Sequence, residues 1–164
     1  MRILGIDPGS RRTGVGIIEV SGREVVPVCY GVIRAGDGDF PERLRTIFEG
    51  VRDLVRENRP DEVAVESVFV AHNAASAIKL GQARGAAICA AIERSLPVAE
   101  YAPRAVKQAV VGRGAADKAQ VQHMVRVLLE LKENPVEDAA DALAVALCHH
   151  HTRGTLAQIA TARR

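Results

Sequence analysis

RILGIDPGSRRTGVGIIEVSGREVVPVCYGVIR, residues 2–34, reads as three strands joined by two tight turns. Arg2 to Asp7 is a short apolar run stopped by Pro8 and Gly9. Thr13 to Val20 is a second run, closed by Ser21 and Gly22. Glu24 to Arg34 is a third, rich in Val and Ile, with the loop AGDGD after it. Connections this short bring consecutive strands back antiparallel, so the stretch predicts a meander.

The pattern changes after the meander. From Pro41, the residues Leu44, Ile47, Phe48, Val51, Leu54 and Val55 recur at helical spacing, and the run stops before Pro60. EVAVE, residues 62–66, is a short strand. Residues 73–95 form an Ala-rich helix whose Gly81, Ala83, Gly85, Ala86 and Ala87 permit close backbone approach. Pro97 to Tyr101 is a fifth strand, followed by helices over about 104–111 and 117–131 and a last one from about 137. The expected fold class is α/β: a five-stranded mixed sheet, made of a three-strand antiparallel meander and two parallel strands, flanked by helices on both faces. One domain is expected over 1–152, with a basic, frayed tail over 153–164.

Composition narrows the class. The 164 residues are 48% apolar and 26% charged, the mixture of a packed globular domain. No apolar run reaches the length of a membrane span, and Met1 opens no signal-peptide pattern. Cys29, Cys89 and Cys148 are odd in number and stand among apolar neighbours, so they read as reduced core residues of a cytoplasmic protein. Net charge is only +2, but residues 104–132 hold Arg104, Lys107, Arg113, Lys118, Arg126 and Lys132 against Asp117 and Glu130. Such a stretch is either a surface for a polyanion or an ordinary solvated helical face. With no Trp and 3% aromatics, the chain is not an aromatic-rich single-strand binder.

The last helix holds a contradiction. In EDAADALAVAL, residues 137–147, Ala and Leu cover every side, yet Asp138 and Asp141 stand three apart on one face. Carboxylates in an apolar setting are costly without a partner. Asp7 ends the first strand and Glu66 the fourth, and a crossover helix makes parallel neighbours of those strands. Four carboxylates then converge at one sheet edge, where only cations relieve their repulsion. Hard oxygen donors of this kind suit Mg²⁺ or Mn²⁺, and a pair of such ions is a device for phosphodiester hydrolysis. Three of the acids also have a plain alternative: Asp7 as a turn former, Glu66 as a strand-end charge, Asp138 as a helix-start residue; Asp141, deeper in the apolar helix, is harder to explain in that way.

With these residues in place, the chain resembles the RuvC-type Holliday-junction resolvases of bacteria over nearly its whole length. ILGIDPGSRRTGVGII, AVESVF, SAIKLGQARGAA, PRAVKQAVVGRG, DKAQVQHMVRVLL and DAADALAVAL carry the likeness. GIDPG alone is shared with actin-like ATPases; LGQARG, VKQAVVG and DAADALA together are specific. The resemblance implies a ribonuclease-H-like fold, a homodimer, and Mg²⁺-dependent paired nicks in four-way junction DNA during recombination and repair. It implies a RuvA- and RuvB-type branch-migration motor as a partner. It assigns catalysis and metal binding to Asp7, Glu66, Asp138 and Asp141, the third being a histidine in some relatives. It assigns DNA contact to Phe69, as a wedge among unstacked bases, and to Lys107 and Lys118, with Arg104 and Arg113 extending the surface. Ser67 stands where a Gln can occur, and His72 where a Lys can. Consecutive helical residues point about 100° apart, so His149, His150 and His151 do not share an ion and read as a helix C-terminal group. Two other readings stay open: a junction-binding protein without nuclease activity, and an actin-like ATPase fragment.

Overall fold

The computed structural model describes residues 1–67 and 73–162, with side chains as far as Gly154. Ten elements follow one another: β1 (Arg2–Asp7), β2 (Arg12–Ser21), β3 (Glu24–Arg34), α1 (Phe40–Asn58), β4 (Glu62–Glu66), α2 (Ala74–Ile92), β5 (Val98–Tyr101), α3 (Pro103–Val111), α4 (Lys118–Leu128) and α5 (Glu137–Ala162). The five strands form one sheet in the order β3-β2-β1-β4-β5. β1–β2 and β2–β3 pair antiparallel, and β1–β4 and β4–β5 pair parallel. The mixed sheet expected from the sequence is therefore present. β3 is an edge strand, and Pro27 lies beside the irregularity in its pairing, where a missing N–H does least harm.

Strand alternation sorts the core into two layers. Ile3, Ile18 and Ala64 face α3, α4 and α5, where they meet Val106, Val125, Leu143 and Leu147. Leu4, Ile6, Ile17, Val63 and Val65 face the other way, onto Ile47, Val51, Ala83 and Ala87. Each fully buried Leu or Ile side chain contributes about 2 kcal/mol over leaving it in water. Caps fix where the helices begin. Asn73 accepts from the amides of Ala75 and Ser76, and Asp117 forms a capping box with Gln120. Leu44, Ile47, Val51 and Val55 put the inner stripe of α1 on the sheet, while Arg43, also buried, donates Nε to the Ser10 carbonyl at 2.8 Å.

Two close contacts decide where the last helix lies. A β-carbon on Gly5 would stand 2.8 Å from the Ala146 amide nitrogen, and one on Gly14 would stand 2.6 Å from the carbonyl carbon of Asp138. Glycine at these two positions lets the backbone of α5 rest directly on β1 and β2. The small residues of α5 complete the fit: Ala139, Ala142, Ala144 and Ala146 are fully buried. The apolar character of α5 on all sides is thus that of a helix laid through the centre of the domain.

α5 runs on past Arg153 as far as Ala162. Two expectations are corrected. His149 is consequently not at a helix end but in mid-helix and buried, because nothing in CHHHTRG breaks the helical hydrogen bonds; Thr152 bonds back to the Cys148 carbonyl. Of the three free cysteines only Cys148 is buried; Cys89 is exposed on the outer side of α2.

Candidate active site

The acids are delivered by the sheet and the helix together. Asp7 ends β1 opposite Gly14, and the β1–β4 register pairs Ile6 with Val65, so Glu66 is the next step on the same ladder. α5, seated on Gly5 and Gly14, brings Asp138 and Asp141 to that edge in its first two turns. Asp7, Glu66 and Asp141 line one cleft of about 220 Å³ with Pro103, Val106, Lys107, Lys118 and Val121. Asp138 stands at its rim, where the Arg12 Nε–H donates to its Oδ2 at 2.6 Å. Lys118 is bonded to Glu137 and lies 3.9 Å from Asp141 Oδ2.

The electrostatics are those of crowded like charges. Burial, and then the charges of Glu66, Asp141 and Asp138, push the Asp7 carboxyl up to about 8. The Glu66 carboxylate beside Asp7 makes it harder for Asp7 to lose its proton. Glu66 is raised by burial and by Asp141, against the opposing pull of Asp7, Lys118 and Lys107. Asp141 is raised chiefly by burial, and Lys118 counteracts it. The bond to Glu137 raises Lys118 and holds Glu137 below the usual carboxylate range. No His or Cys lines the cleft, so its donor set consists of hard oxygens and fits an octahedral divalent cation. Among the described residues no three acidic, histidine or cysteine side chains form a finished ion-binding set, with Asp138 held out at Arg12.

The model of the family "Crossover junction endodeoxyribonuclease RuvC" matches residues 3–149, a span that holds all four acids. The chain belongs to the RuvC family. It is 60% identical over 158 residues to the Methylococcus capsulatus crossover junction endodeoxyribonuclease RuvC, covering 96% of this chain and 95% of that one. It is 55% identical over 161 residues to the Cronobacter sakazakii protein of the same name, covering 98% and 93%. Its fold superposes on the Thermus thermophilus RuvC structure solved in complex with Holliday junction substrate, with a TM-score of 0.88, 38% identity, and 93% and 94% of the two chains covered. The ribonuclease-H-like fold expected from the resemblance is the one present, and membership in the RuvC family displaces the actin-like ATPase reading of GIDPGS.

In this RuvC-family chain the sequence-predicted residues fall into three groups. Asp7, Glu66 and Asp141 share the cleft with Lys107 and Lys118, and Asp138 flanks it. Arg104 at the start of α3 and Arg113 in the loop after it are exposed, and the Arg104 side chain covers Gly114. Phe69 and His72 lie outside the described residues. Arg12 went unnoticed in the sequence, where it is one arginine of a turn, 126 residues from Asp138. Its only signal is its place just after DPGS: Thr13 Oγ1 donates to the Gly9 carbonyl and folds the turn back, carrying Arg12 to the same edge as Asp7.

Proposed function

We propose that this chain is a structure-selective endonuclease that resolves Holliday (four-way) junctions by paired symmetric nicks in recombination and repair. The observation that carries this reading is the meeting of Asp7, Glu66 and Asp141 with Lys107 and Lys118 in one cleft of a RuvC-family chain. Asp7, Glu66, Asp138 and Asp141 would hold Mg²⁺, two ions per site, with Mn²⁺ able to substitute. Bound there, the ions supply an activated water and charge stabilisation for the leaving oxygen. The protein's own groups do the rest. The carboxylates orient, and Lys107 faces the scissile phosphate and offsets charge that grows on it. Lys118, Arg104 and Arg113 carry the neighbouring phosphates.

Two symmetric cuts call for two sites related by a two-fold axis, so the working unit is a homodimer. Support comes from α2, a helix rich in Ala that leaves Ile78 and Ile92 62% and 49% exposed. Phe69, three residues after Glu66 in the sequence, enters the opened junction and stacks on bases. The nuclease domain spans 1–152. The enzyme works in the cytoplasm, on junctions presented by a RuvA- and RuvB-type branch-migration motor. Among the described residues no helix is long and apolar enough to cross a membrane.

The test uses a synthetic four-way junction, labelled on each strand in turn, beside a linear duplex of the same sequence. Paired nicks at symmetric positions in the junction alone, dependent on Mg²⁺ or Mn²⁺, support the reading. Junction binding without nicks in either metal would favour a non-catalytic junction-binding protein.

A further inference from the structure

We infer that Arg12 is an internal counter-ion of the acid cluster, which holds Asp138 away from the cleft until a divalent cation takes its place. The inference rests on the metal-dependent reading above. It makes Arg12 a positioning residue that sets how much cation the enzyme needs.

Three observations converge on this. Arg12 Nε lies 2.6 Å from Asp138 Oδ2, so the guanidinium occupies a carboxylate oxygen. The bond draws one oxygen of the carboxylate toward Arg12, and its positive charge opposes a cation arriving beside it. Asp138 is also the one acid of the four that does not line the cleft, although its charge reaches both Asp7 and Asp141. Finally, the pair sits at the surface, with the Arg12 side chain 48% exposed and that of Asp138 27% exposed. An ion pair with this much solvent is weak and exchangeable, unlike a buried one.

The local architecture fits an exchange of this kind. The carbonyl of Asp138 is pinned on Gly14, so the backbone stays in place while the side chain turns. Arg12 begins β2 on a turn closed by Thr13 and Gly9, and its long side chain is the adjustable partner. Lys118 with Glu137 is a second such pair, and the same lysine lies 3.9 Å from Asp141 Oδ2. The acids thus meet protein cations when no metal is bound, and a metal displaces them.

The decisive comparison is Mn²⁺ binding to the DNA-free protein, read by electron paramagnetic resonance, for the wild type, Arg12→Gln and Arg12→Lys. If Arg12 competes with the ion, Arg12→Gln binds Mn²⁺ about two- to fivefold more tightly, the fold-change expected for an ion pair this exposed. Arg12→Lys stays close to the wild type. In EDTA, Arg12→Gln also melts at a lower temperature than the wild type, and the gap closes when Mn²⁺ is added. Equal or weaker Mn²⁺ binding by Arg12→Gln overturns the inference and would make Arg12 a support that prepares Asp138 for the ion. If the wild type binds no Mn²⁺, the metal-dependent reading fails and the inference fails with it. Wild-type binding that Asp7→Asn abolishes keeps the two failures distinguishable.

Discussion

The backbone of Asp138 rests directly on Gly14: a β-carbon added to the glycine would stand 2.6 Å from the Asp138 carbonyl carbon, and Gly14 is itself paired with Asp7 across the β1–β2 ladder. The placing of the acidic edge and the packing of the central helix are therefore one contact. Gly14→Ala forces the start of α5 off the sheet, because the obstacle is backbone and does not rotate away. The expected outcome is a loss of stability of about 3 kcal/mol, in the range of overpacked cores. Whatever protein folds should have lost nuclease activity out of proportion to its folded fraction. Urea unfolding beside a junction-cleavage assay checks this; full activity in the variant would show that α5 needs no such approach.

The raised Asp7 carboxyl has a consequence for stability. In the unfolded chain it loses its proton near 3.8, and in the folded metal-free protein near 8. Between these values the folded state binds more protons than the unfolded state, so stability falls as pH rises through that window. Glu66 and Asp141 are raised too, and act in the same direction. In EDTA the melting temperature should drop from pH 5.5 to pH 8. Asp7→Asn should flatten much of that slope, and Mg²⁺ should reverse it by replacing the proton. Equal slopes in the wild type and Asp7→Asn would contradict the assignment.

Away from the cleft, His149 joins two strands through one ring. Its Nδ1 lies 2.7 Å from the Tyr101 hydroxyl and its Nε2 lies 2.6 Å from Glu62 Oε2. The contacts are satisfied when Tyr101 donates to Nδ1 and Nε2–H donates to Glu62. His149→Leu strands the Tyr101 hydroxyl and removes a donor from Glu62, which keeps Arg153 at 2.9 Å. We expect a loss of about 1–3 kcal/mol in urea denaturation with cleavage per folded molecule unchanged. An unchanged midpoint would mean that the contact contributes nothing net.

Exposed cations of the α3–α4 region should behave as phosphate contacts. Arg113→Ala should weaken junction binding alike for all sequences and reduce the slope of log affinity against log salt by about 1. Fluorescence anisotropy at several salt concentrations reads both. A change in preferred sequence with an unchanged salt slope would instead mark Arg113 as a base reader.

How far the sequence carries can be seen residue by residue. The meander was legible because short apolar runs and the turns at Pro8-Gly9 and Ser21-Gly22 are local signals. So was the candidate acid set, since Asp7 and Glu66 end strands and a carboxylate pair in an Ala-rich helix has few structural reasons to exist. The last helix was legible at its start but not at its end. Three histidines followed by Arg153 and Gly154 resembled a terminus, yet α5 runs on through that glycine. The burial of His149 depends on Glu62 and Tyr101, 87 and 48 residues away. Arg12 was hidden for the same reason: its partner is distant in the chain, and an arginine in a turn is by itself an ordinary surface residue. Long-range pairing of side chains is a property of the packed state, and no local pattern announces it.

The central claim is that the carboxylates of this cleft cut DNA. It is tested most directly by Asp141→Asn, assayed on one labelled four-way junction for binding and for nicking in Mg²⁺. The account predicts junction binding at least as tight as that of the wild type, since one negative charge is gone, and a fall in paired nicks on the order of 10²-fold or more. Nicking by Asp141→Asn at the wild-type rate, at the same positions, would contradict it.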